Sequence, residues 1–235
     1  MNDNRRAPRG IASLDLLQPH AAKSFGKKYV LAAQKSYANY SFMMGGTNNN
    51  LAEILKTNPR NVAGIKLFLG SSTGNMLVDN PEAIEKIFSC TSMLIAVHCE
   101  DETTIKNNLE YYKKQLGDAI DINFHHLIRS EEACYISTEK TVALAKKTGA
   151  RLHVFHLSTA KETDLFVNNI PLAEKKITAE VCVHHLWFSN EDYDKKGNFI
   201  KWNPAIKTPQ DRDGLWEALM DDRIEIGRAS CRERV

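Results

Sequence analysis

From residue 40 onward the chain alternates short apolar runs with longer stretches of helical period, and this alternation limits the fold more than any other feature. Runs at 40–45, 64–69, 93–98, 151–156 and 177–183 are five to seven residues long and rich in Val, Ile, Leu, Phe or Met. Their apolarity is continuous, as expected of strands covered on both faces. Helix punctuation falls between them. Asn80-Pro81 opens one segment, with Ile84, Ile87 and Phe88 at helical spacing, and Ser130 opens another that runs through Thr141, Leu144 and Ala145 to a stop at Thr148-Gly149. A third is expected over about 160–168, and a fourth from Pro209 carries Leu215, Trp216 and Leu219. The order is that of repeated βα units around a parallel sheet, with about five strands and five helices.

The ends do not follow this order. Residues 1–26 hold Arg5-Arg6, several small residues and no periodic run, and no structure is expected of them. Residues 225–235 (EIGRASCRERV) read as a translated sequencing adapter and are set aside, which puts the natural break near Ile224. The expected organisation is a leader at 1–26, a folded unit at 27–224 and an artefact at 225–235. With 31 basic and 29 acidic side chains and no long basic run, the charge points away from nucleic acid and towards a small-molecule ligand. No apolar run reaches the roughly 18–20 residues of a membrane helix, and no signal core follows the first arginines, so a cytoplasmic protein is expected. The five cysteines form no C-x-x-C pair and read as reduced, mostly buried thiols.

Three polar residues stand where an apolar strand should offer only packing: Lys66 in GIKLFLG, His98 in LIAVHCED and His156 in HVFHLST. All lie at or near C-terminal strand ends, which converge on one face of a closed parallel barrel. A buried ammonium is costly, because desolvation disfavours its charged form. Carbamylation removes that cost, since a neutral amine that adds carbon dioxide becomes an anionic ligand able to bridge two divalent ions. His98 and His156 would add imidazole nitrogens, and a water shared by the ions would ionise near neutral pH. The plainer alternative is two hydrogen-bonded core histidines and a lysine that snorkels or pairs with a carboxylate. Ser71, Ser72 and Thr73 form a polar, glycine-bounded loop suited to substrate contact or to a simple turn.

The runs GIKLFLGSSTGNMLVDNPE, VHCEDE, IRSEEAC, HLSTA, ITAEVCVHHLWF and KWNPAIKT, taken in order, resemble the dihydroorotase family of cyclic amidohydrolases over about 200 of the 235 residues. The resemblance implies a (β/α)8 TIM barrel of the amidohydrolase type, of which 27–224 would be a partial barrel covering about strands 2 to 7. It implies two zinc ions bridged by carbamylated Lys66 and held also by His98 and His156. Asn203 matches a position beside the pyrimidine ring, where its amide could donate to and accept from an imide; an Asn before Pro is also an ordinary turn starter. The implied reaction is reversible hydrolysis of dihydroorotate to N-carbamoyl-aspartate in pyrimidine biosynthesis, and a homodimer is a family expectation. Allantoinase or dihydropyrimidinase chemistry is the neighbouring alternative, and a metal-free barrel acting as a binding partner is the non-catalytic one.

The remaining histidines are expected to be structural or to support the ligands from behind. His184 and His185 follow the last strand candidate, where adjacent residues would point to opposite faces; His125 and His126 precede a helix in a loop; and His153 has the wrong strand parity to join His156. Three departures from the family pattern stand out. The sequence contains no H-x-H pair, which supplies two ligands of the more buried metal, and no D-H-A-P-H-like segment, whose Asp binds metal and moves the proton. The methionine-proline-asparagine segment that precedes the second helix is also absent, which suggests a shifted reading frame or a wrong start upstream of Lys27. No catalytic residue is therefore expected in this chain, and alone it is expected to be inactive and poorly soluble.

Overall fold

The computed structural model describes residues 21–37, 39–70 and 77–226. The Ser71–Thr73 loop, residues 1–20 of the leader, Cys231 and residues 227–235 lie outside the described residues. Helix α1 (Ala21–Lys35) leads into β1 (Met43–Gly45), α2 (Leu51–Lys56), β2 (Gly64–Phe68), α3 (Pro81–Cys90) and β3 (Ile95–His98). Then follow α4 (Glu102–Leu116), α5 (His125–Ile128), α6 (Glu131–Thr148), β4 (Leu152–Leu157), β5 (Ile177–Val181), α7 (Val183–Trp187), α8 (Tyr193–Lys196), α9 (Pro209–Met220) and β6 (Glu225–Ile226). Every neighbouring pair of strands is parallel and the spatial order is the chain order, so the sheet winds in one direction.

The punctuation works as its chemistry requires. The Asn80 side chain accepts from the amides of Glu82 and Ala83, Ser130 accepts from Ala133, and Thr208 with Asp211 forms a reciprocal capping box ahead of Pro209. Gly149 ends α6 at φ 71°, a left-handed conformation open to glycine at little cost. Three expectations change. Residues 21–26, assigned to an unstructured leader, begin α1. The expected helix over 160–168 is a 3-10 turn at Lys161–Leu165, because Thr163 bonds back only three residues to Ala160, through both its amide and its hydroxyl. The strand expected over 177–183 stops at Val181, and β6 consists of Glu225 and Ile226, the first two residues of the segment set aside above.

Register separates the two faces of the sheet. Ile65 is opposite Ile95 and Leu67 opposite Val97; Ile95 is opposite Leu152, and Val97 opposite Val154, which pairs with Ala179. These residues pack with Ile87 and Phe88 of α3, Val142 and Ala145 of α6, and Leu215 and Ala218 of α9. Lys66, Ala96, His153 and Thr178 form the matching row on the other face. That face carries the polar side chains, and it is here called the inner face. Gly70, just past β2, lies so close to β3 that a Cβ would meet the Glu100 carbonyl oxygen at 1.9 Å. Only glycine lets the two strand ends approach to this distance. No helix among the described residues is long and apolar enough to cross a membrane.

Candidate active site

His98, the last residue of β3, projects from the inner face because it follows Ala96 by two residues. His156 reaches the same place by a different route. Between β4 and β5 the register shifts: Val154 is opposite Ala179, yet Leu157 is opposite Val181, so β4 holds one residue more than its partner. The extra residue is accommodated with His156 at φ 45°, a positive value uncommon outside glycine. This bulge turns His156 inward while Leu157 rejoins the helix-packed core. The Nδ1 of His98 and the Nε2 of His156 then stand 3.2 Å apart, with both side chains almost wholly buried.

Lys66, 1% exposed, completes the group. Its Nζ lies 4.1 Å from the centre of the Phe155 ring and 4.9 Å from that of Phe68, and the Phe68 ring in turn neighbours His98. Burial drives the His156 imidazole well below its ordinary value, and the neighbouring basic groups of His98 and Lys66 act in the same direction. The ring is therefore neutral and keeps a lone pair. Its Nδ1 is buried without a hydrogen-bond partner. The parity argument against His153 does not survive the bulge. His153 shares the inner face with His156, where its Nδ1 meets Thr178 Oγ1 at 2.8 Å and its Nε2 meets Glu180 Oε2 at 3.2 Å.

Two residues of the site were not singled out in the sequence. Glu100, fully buried, accepts at Oε2 from His98 Nε2 at 2.9 Å and from the Arg129 guanidinium. Burial alone would raise the Glu100 carboxyl, but Arg129 and the His98 bond outweigh it and hold the group down at about 2. The signal was present in VHCEDE and IRSEEAC: a carboxylate two residues past His98 shares its strand face and needs a cation when buried.

Asn203 lines a cavity of about 600 Å³ together with His125, Arg129 and Lys201. Arg129 and Glu100 link that cavity to His98, so the sequence-predicted residues fall into a Lys66–His98–His156 group and a separate Asn203 segment. Histidines hold this segment on both sides. His125 Nε2 donates to the Trp202 carbonyl at 2.8 Å, and His185 Nε2 donates to the Pro204 carbonyl at 3.1 Å. The His184 ring stacks on Trp202 at 4.3 Å. Because His184 and His185 lie in α7 rather than in a strand, they do not point to opposite faces; their ring centres are 4.4 Å apart. With Cys182 they form a cluster whose potential ligand atoms lie within 4.8 Å of one another. Burial pushes His125 and His184 down to about 4 and His185 well below its ordinary value. The Asn203 Oδ1 is buried without a hydrogen-bond partner.

The sheet is a singly wound parallel α/β one with a lysine and two histidines gathered at its strand ends, and its fold resembles that of the hydantoinase barrels. Among solved structures, an L-hydantoinase (dihydropyrimidinase) from Arthrobacter aurescens superposes with a TM-score of 0.79 at 23% identity, over 88% of this chain and 46% of that one. The open sheet is consistent with a partial barrel. No family model matches the chain. Its sequence relatives include dihydroorotases: that of Methanosphaera stadtmanae is 28% identical over 207 residues, 87% of this chain and 44% of the relative. That of Bacillus licheniformis is 32% identical over 158 residues, 67% of this chain and 35% of the relative. The chain is thus homologous to the dihydroorotases and spans less than half the length of these relatives.

Proposed function

We propose that this chain forms part of a metal-dependent cyclic amidohydrolase whose substrate is dihydroorotate, opened reversibly to N-carbamoyl-aspartate. The observation that carries the reading is the 3.2 Å approach of His98 Nδ1 to His156 Nε2 beside buried Lys66. Two imidazole nitrogens each about 2.0–2.1 Å from one tetrahedral zinc stand about 3.3 Å apart, so the donor set fits a shared ion. The names of the sequence relatives support dihydroorotate over other cyclic amides.

In this reading His98 and His156 would hold an ion through the two facing nitrogens. The neutral amine of Lys66 adds carbon dioxide, forming an N–C bond and losing a proton, and the resulting carbamate supplies anionic oxygens. Two zinc ions, when bound, supply Lewis-acid polarisation of the ring carbonyl and a water acidified to near neutral pH. Water adds across the ring amide, the C–N bond breaks, and the leaving nitrogen takes a proton; the reverse steps close the ring. Asn203 pairs with the imide edge of the substrate, donating through its amide nitrogen and accepting through Oδ1. Proton transfer is assigned to no residue of this chain.

The test is turnover by a protein that carries this sequence within a barrel of the relatives' full length, loaded with zinc. Ring opening of dihydroorotate is expected. Hydrolysis of allantoin or dihydrouracil with none of dihydroorotate would replace the substrate while keeping the chemistry.

A further inference from the structure

We propose that Glu100 is a positioning residue that fixes which nitrogen His98 presents to the site, with Arg129 holding Glu100 in place. A neutral imidazole has one donating and one accepting nitrogen. An ionised carboxylate only accepts, so the 2.9 Å contact between Glu100 Oε2 and His98 Nε2 requires the proton on Nε2. The lone pair is then confined to Nδ1, the atom that faces His156. Tautomer and ring orientation are set by one bond.

The geometry around Glu100 leaves it little freedom. Its side chain is fully buried, and the Arg129 guanidinium, only 12% exposed, shares the same carboxylate oxygen. Its carbonyl lies against Gly70. The next residue, Asp101, is bound from both sides: its amide donates to the Ala133 carbonyl at 2.8 Å, and its side chain caps α4 by accepting from the Thr104 amide at 3.0 Å. The chain therefore holds Glu100 at β3, α4 and α6 together, which is more restraint than a solubilising carboxylate needs.

The consequence for ion binding rests on the function proposed above; the consequence for the His98 tautomer does not. In the metal-free chain labelled with 15N-histidine, two-bond 1H–15N spectra should show His98 protonated at Nε2 and bare at Nδ1. A Glu100→Gln amide can donate or accept, so that variant should populate both tautomers and bind cobalt(II), read from its visible absorption, about 10- to 100-fold more weakly. The proposal is overturned if the unsubstituted chain carries the proton on Nδ1, or if Glu100→Gln alters neither tautomer nor cobalt affinity. Should Glu100→Gln fail to fold, the spectrum of the unsubstituted chain decides. An Nε2-protonated His98 in a chain that binds no cobalt would defeat the metal reading and leave the Glu100 assignment standing.

Discussion

His98 and His156 meet at 3.2 Å although simple alternation along β4 would turn His156 away, towards the helices. The extra residue in β4 and the positive φ of His156 make the meeting possible. A left-handed conformation costs a residue with a Cβ about 1–2 kcal/mol, a strain that persists here within a buried polar site. His156→Gly should therefore be more stable than His156→Ala by about 1 kcal/mol in urea unfolding, while both lose the imidazole. Equal stability of the two variants would mean that the bulge carries no strain.

Gly70 allows β2 and β3 to close on each other at the level of the site. A methyl group there would meet main-chain oxygen, which cannot rotate away, so Gly70→Ala should destabilise the fold by about 1–3 kcal/mol. The urea midpoint checks this. The same variant should also disturb Glu100, visible as a shift in the His98 ring resonances.

The inner-face lysine and the two histidines were legible because each interrupts an apolar run near its C-terminal end. The helix starts at Asn80, Ser130 and Thr208 were legible for an equally local reason: their side chains cap the turn that follows. The bulge was not legible. It is defined by β4 relative to β5, and nothing in LHVFHL alone shows that Val154 and Leu157 will be opposite residues only two apart. The same limit misplaced His153, whose parity relation to His156 holds only in an unbroken strand. His184 and His185 were judged by strand alternation because the preceding strand was expected to run to residue 183, whereas it ends at Val181 and the chain turns into α7. The Glu100–Arg129 pair joins positions 29 residues apart, a separation over which no periodic pattern operates.

Acid should unfold the chain through His125 and His184. Both are held near 4 in the folded state, against about 6.5 for a histidine in the unfolded chain. The unfolded state therefore binds more protons between those values, so stability is full above about pH 6.5, falls as pH drops towards 4, and levels off for these groups below it. His184→Gln should flatten that slope in urea midpoints measured from pH 7 to pH 4. An unchanged slope would remove His184 from the account.

The Asn203 segment depends on donors from outside it. His185→Phe removes the N–H that satisfies the Pro204 carbonyl and should lower stability by about 1–3 kcal/mol. Amide exchange at Asn203 and Ala205 should accelerate, while that of β2 and β3 stays unchanged. Uniform acceleration would mean that His185 supports the whole fold rather than this segment.

Metal content measures the proposed site most directly. After equilibration with zinc and bicarbonate followed by removal of free ions, the unsubstituted chain should retain zinc, and Lys66→Ala, His98→Ala and His156→Ala should each retain substantially less while keeping the same far-UV circular dichroism. Zinc retained equally by Lys66→Ala and the unsubstituted chain, or by neither, would contradict the assignment of Lys66, His98 and His156 as its ligands.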